Sequence, residues 1–178
     1  MAKYKNQGTV SLKNTVKHLT TMQTTSLVLL RVIIGWHFTY EGLAKLFDAK
    51  WSAYFYLLDS QGWLRDIFIN MANNPRLMLF IDPLIKWGLL LIGLSLMTGL
   101  LTKYAKLGAL VMLLFFWLSH PPFIGYEYLL PSEGHYLVFD KNSVEFFAVL
   151  VLLMFPTEHI IGLQRMFNHY FRKAAVND

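Results

Sequence analysis

His37, Glu41 and Lys45 recur every four residues inside the apolar stretch LLRVIIGWHFTYEGLAKLF, Leu29 to Phe47. On an α-helix that spacing stacks all three on one face. Each group costs a few kcal/mol or more in hydrocarbon unless it snorkels or finds a partner. A ladder of imidazole, carboxylate and ammonium can donate hydrogen bonds and pass protons. These three are therefore the candidate catalytic residues. The plainer alternative is an ordinary i,i+4 ion pair between Glu41 and Lys45 beside a satisfied polar histidine. Arg31 lies earlier in the stretch, roughly 8 Å in from the nearer surface at about 1.5 Å per residue. It can snorkel to headgroups, or it can face protein and hold a carboxylate or backbone carbonyls.

The chemistry open to these groups is bounded by what the chain lacks. It has no cysteine, which excludes disulfides, iron–sulfur clusters, Cys-ligated zinc and a CxxC redox pair. It has no phosphate-binding glycine loop, no HExxH and no GxSxG. A bis-histidine haem needs two histidines at similar depth. His37 is expected near mid-membrane and His120 at its rim, so no haem is expected. His120 and His135 with loop carboxylates have no diagnostic metal spacing, and no metal site is assigned. A quinone needs less: an apolar cleft, an aromatic wall and a few donors. Arg31, Trp36, Tyr40, Lys86 and Trp87 are the candidate cofactor-binding residues for such a ligand.

The elements that must position these groups are membrane helices. Only 15% of the 178 residues are charged, against about 25% in soluble domains. The positive residues fall in short blocks between apolar runs, which points to a membrane protein rather than a nucleic-acid binder. The expected fold is all-α: an integral membrane four-helix bundle with spans near 24–47, 82–102, 104–119 and 142–161. Asp82 is expected as the N-cap of the second span, with Pro83 at its first position. Asn142 and Glu145 have capping-box spacing at the start of the fourth, and Pro156 kinks or ends it. Gly35, Gly42, Gly88, Gly93, Gly99 and Gly108 suit close helix packing.

Lysines and arginines concentrate in the arm 1–23, at Lys103 and Lys106, and in the tail 162–178. With four spans these share one side, so both termini are expected to be cytoplasmic in an inner membrane. The loops 48–81 and 120–141 then lie outside. Trp63, Leu64, Ile67, Phe68 and Met71 recur at helical spacing and predict an outer amphipathic cap. Ile160, Leu163, Phe167 and Tyr170 predict an inner interfacial C-terminal helix.

The opening stretch resembles the start of the DoxX family: Arg31, Gly35 four residues on, then Gly42, Lys45 and Leu46. The segment LIGLSLMTGLLTKYAKLGALVMLL resembles the family's second and third helices, with Gly99 and a basic loop between them. The resemblance runs from about Leu27 to Phe155. Where the family pattern often has histidine, just before the glycine matching Gly42, this chain has Glu41, with His37 a turn earlier. The resemblance implies a four-helix membrane bundle related to DoxD, a subunit of a thiosulfate:quinone oxidoreductase. The expected function is a membrane subunit of a quinone-linked redox system, with electrons supplied by a protein partner in the membrane or on its outer face. Two alternatives stand beside it. One is a non-catalytic anchor or assembly partner. The other is a small-solute or lipid carrier, which the lack of repeated halves disfavours.

Overall fold

The computed structural model describes residues 19–129, 137–158 and 160–163. Six helices occur among them: α1 (Thr21–Phe47), α2 (Tyr54–Leu58), α3 (Arg65–Ala72), α4 (Pro75–Thr98), α5 (Thr102–Ser119) and α6 (Lys141–Met154). No strand is present in these residues. Three helices, α1, α4 and α5, are long and apolar enough to cross a membrane. Their outward faces support that reading. Ile33, Leu84, Leu91 and Val111 are all more than 60% exposed, although such side chains belong inside a soluble protein.

α1 begins on a capping box. Thr20 accepts from the Gln23 amide, and the Gln23 side chain returns to the Thr20 amide. α4 begins seven residues before the expected start. Asn74 caps it by accepting from the Arg76 and Leu77 amides, and Pro75 holds the first position. Asp82 is thus not an N-cap. Its Oδ1 accepts from the Ala53 amide at 2.8 Å and ties the loop after α1 to α4. Pro83 sits within the helix. The helix within the fourth expected span is shorter than that span. Asp140, not Asn142, caps α6, through the Ser143 amide at 2.9 Å. α6 ends at Met154, just before Pro156, because proline has no N–H to continue the ladder. Its 14 residues reach only about 21 Å, short of the roughly 30 Å of hydrocarbon.

α1, α4, α5 and α6 alternate in direction and pack side by side. α1 meets α4 most extensively, α5 meets α6 and α4, and α1 meets α6 sparsely. The α1–α4 contact is close because small residues face each other there. A Cβ at Gly42 would strike the Leu90 backbone, and one at Gly93 would overlap Thr39. The core runs through Ile34, Phe38, Leu89, Leu96, Leu113 and Leu152.

α2 and α3 close one end, here the cap end. Leu57, Phe68 and Ala72 are buried, and Phe68 meets Phe115 edge to face at 5.1 Å. Of the expected apolar face of α3, Trp63 and Ile67 stay largely exposed, so the cap rests on the bundle by one edge. It is tied down by the Ser60–Ser119 hydroxyl pair at 2.6 Å and by the Tyr56 hydroxyl donating to the Phe116 carbonyl. The N-terminal arm up to residue 18, His135 and the expected tail-helix residues Phe167 and Tyr170 lie outside the described residues.

Candidate functional site

The cap end holds a cavity of about 500 Å³ between the four bundle helices and the loop that follows α1. Phe38, Ile85, Leu89, Leu113 and Phe116 make its apolar floor. Trp51, Phe55 and Tyr56 form an aromatic wall. The polar side carries His37, Glu41 and Lys45 from α1, facing Lys141, Asn142 and Glu145 from α6. Small-molecule sites have this pattern, an apolar body with a few convergent polar groups, and fall in this size range.

The ladder on α1 does face this cavity, as the four-residue spacing requires. Glu41 and Lys45 form a close ion pair. His37 has a different partner. Its Nδ1 lies 2.9 Å and 3.1 Å from the two carboxylate oxygens of Glu145. Donation from Nδ1 leaves Nε2 as the ring nitrogen available to a ligand. Glu145 thus completes the set across the α1–α6 seam. The capping-box spacing with Asn142 had assigned it a local role, and the structure replaces that role with a contact 108 residues away.

Tyr56 adds a fixed hydroxyl, which donates to the Phe116 carbonyl and can accept from a ligand. Burial pushes its phenol pKa up, with the Asp140 carboxylate acting in the same direction, so it stays protonated. Behind the wall, Trp51 has the Lys45 and Lys86 ammonium groups 5.7 Å and 5.2 Å from its ring centre, within cation–π range. Lys86 therefore supports the wall without lining the cavity. Trp36, Tyr40 and Trp87 do not line it either. Each is more than half exposed on the outward faces of α1 and α4.

Arg31 belongs to a separate cluster at the opposite end. It is 2% exposed and does not snorkel. Its guanidinium donates to the Thr157 hydroxyl at 3.2 Å and to the Ile161 carbonyl at 2.8 Å. Beside it, Lys106 and Glu158 form a buried ion pair at 2.9 Å. Lys106 was expected in a basic surface loop. It lies instead in the second turn of α5 and faces inward. This cluster pins the chain after Pro156 into the bundle, where non-helical backbone is tolerated because protein covers it.

A third polar cluster lies under the cap. His120 stacks on Tyr56 at 3.9 Å, and its Nδ1 is 3.1 Å from the Ser119 hydroxyl. Its Nε2 stands 3.9 Å from Asp59. Burial pulls the His120 pKa down to about 4, against the opposing pull of Asp59, so the ring is neutral. Among the described residues, no group of three or more His, Asp or Glu side chains could hold a metal ion.

No curated protein and no solved structure matches the chain. The DoxX family model matches residues 26–121. That range is just over half of the chain. It covers the ladder on α1, the cap, all of α4 and all of α5. The chain belongs to the DoxX family and is a multi-pass membrane protein.

Proposed function

We propose that the cavity at the cap end binds a quinone, and that the protein is the quinone-binding membrane subunit of a redox system whose electrons come from a partner. One observation carries this reading: an apolar, aromatic-walled cavity of about 500 Å³ has an imidazole, two carboxylates and lysine ammoniums along one side. A flat ring fits against Phe38, Leu89, Leu113 and Phe116, while His37 and Lys45 reach its oxygens as donors. A quinone supplies two-electron chemistry, taking up two protons on reduction. The residues manage those protons. His37 Nε2 donates at the ring oxygen, and Glu145 holds the imidazole and stabilises its charged form. Glu41 and Lys45 lie between His37 and the rim, where they can resupply the proton.

The same reading places the chain in an inner membrane with four crossings. α6 and the segment after Pro156 together make the fourth, both termini are cytoplasmic and the cap faces outward. The basic residues of the arm, Lys103 and the tail favour that orientation. The test is quinone binding to purified protein in nanodiscs. His37→Ala and Glu41→Gln are expected to weaken binding or any dependent reduction. If both variants keep wild-type behaviour, the proposed mechanism is wrong.

A further inference from the structure

We infer that the seam between α1 and α6 is a lateral portal, and that the ligand is a lipid-dissolved amphiphile whose ring occupies the cavity while its hydrocarbon tail passes between these helices into the bilayer. This rests on the quinone reading of the cavity and adds the path and the substrate class.

Helix geometry locates the seam. On α1, His37 stands at the border between two faces. Ile34 and Glu41, at i−3 and i+4, turn towards the bundle core and the cavity. Ile33 and Tyr40, at i−4 and i+3, are both well over half exposed. The His37 side chain therefore lines the cavity and is also 44% exposed. On α6, Glu145 occupies the matching border. Val149 beyond it is buried, whereas Val144 beside it is exposed.

The seam is also the sparsest of the four interfaces between neighbouring bundle helices. α1 meets α6 far less than it meets α4. On α6, Ala148, one turn on from Glu145, carries only a methyl group, and Val144 beside Glu145 is exposed. His37–Glu145 is the hydrogen bond that spans the gap at this level. A polar bridge between exposed apolar flanks marks where cavity and lipid come closest. A ligand with no tail has no need of that path.

The test compares uptake of two quinones by the full chain in nanodiscs, followed by quenching of tryptophan fluorescence. One is a tetramethylbenzoquinone without a tail; the other is a decyl-tailed benzoquinone. Ala148→Phe and Val144→Phe fill the seam beside Glu145, and Leu91→Phe, on the outward face of α4, is the control. Circular dichroism confirms that each variant is folded; Val144 is exposed, so at least one plug tests the seam without touching the core. The portal predicts that the seam variants slow uptake of the tailed quinone by roughly tenfold or more, within the decades over which on-rates vary among variants of one site. The tailless quinone and Leu91→Phe keep wild-type rates. Unchanged uptake of the tailed quinone in folded seam variants overturns the portal while leaving the quinone site standing. Equal slowing of both quinones also overturns it, because the plug then acts on the cavity and not on the tail's path. Wild-type protein that takes up neither quinone overturns the site and the portal together.

Discussion

Glu158→Gln isolates the buried charge cluster at the end opposite the cap. Glu158 is the carboxylate that meets the Lys106 ammonium, at 2.9 Å, with the side chains only 6% and 1% exposed. Arg31, 2% exposed, adds a second buried cation nearby. Glutamine keeps the volume but removes the negative charge, so an ammonium is left in a dry site without its counter-ion. Removing one partner of a buried pair costs about 3–5 kcal/mol, most of it the desolvation of the remaining charge. At 2–4 °C per kcal/mol for a chain of this size, the melting temperature falls by roughly 6–20 °C. The double variant Glu158→Gln/Lys106→Met leaves no orphaned ammonium from this pair and is expected to recover more than half of that loss. Melting is followed by far-UV circular dichroism or tryptophan fluorescence in detergent, since a cysteine-free chain gives no signal with thiol dyes. A single variant melting within about 2 °C of wild type, or a double variant worse than the single, refutes the reasoning that an uncompensated buried charge sets the loss.

Gly93→Ala forces a Cβ into Thr39 and to 2.6 Å from the Gly35 carbonyl oxygen, and thermal melts are expected to show a loss of about 1–3 kcal/mol. Gly88→Ala is the contrast. Its nearest neighbour is the flexible Met112 at 3.4 Å, so the variant is expected to be neutral or to gain up to about 1 kcal/mol from the better helix former; equal losses in both variants would show that the α1–α4 approach is not the constraint. For His120, burial holds the folded-state pKa at about 4, below the unfolded value of about 6.5. As the pH falls from about 6.5 to 4, the unfolded chain takes up a proton that the folded chain refuses, so this contribution to stability declines, by up to roughly 3 kcal/mol, and is flat below that window. Comparing melts across the same range, His120→Gln is expected to be less pH-dependent than wild type; identical slopes would remove His120 as the source.

The helices and the α1 ladder were legible because both are local. Apolar runs of sufficient length give the spans, and a four-residue spacing puts His37, Glu41 and Lys45 on one face. What required the structure was contact at long range. Arg31 reads as a snorkelling residue until Thr157, 126 positions away, is seen to accept from it. Glu145 sits at a spacing that imitates a capping box, so its bond to His37 was hidden behind a local explanation. Asn74–Pro75 and Asp82–Pro83 both resemble helix starts. The continuous helix Pro75–Thr98 makes the second interior, and Asp82 accepts from Ala53 instead of capping. Of the two roles open to Pro156, kinking or ending the fourth helix, the structure has the second: α6 stops at Met154. Trp36, Tyr40 and Trp87 were attractive as aromatic wall, but their helical phase turns them outward. The wall comes from Trp51, Phe55 and Tyr56, which only the folding of the loop after α1 over the bundle brings to the cavity.

The central claim is that the cavity at the cap end holds a quinone. Its most direct test is mass spectrometry of the small molecules that copurify with the wild-type protein in mild detergent, beside Leu113→Trp. Leu113 lies in the cavity floor and is 3% exposed, so the larger ring fills the ligand's space while leaving His37, Glu41, Lys45 and Glu145 in place. The prediction is a quinone in near-stoichiometric amount with the wild type and its loss from the filled variant. Wild-type protein without a quinone, or a filled variant that retains one, would contradict the claim.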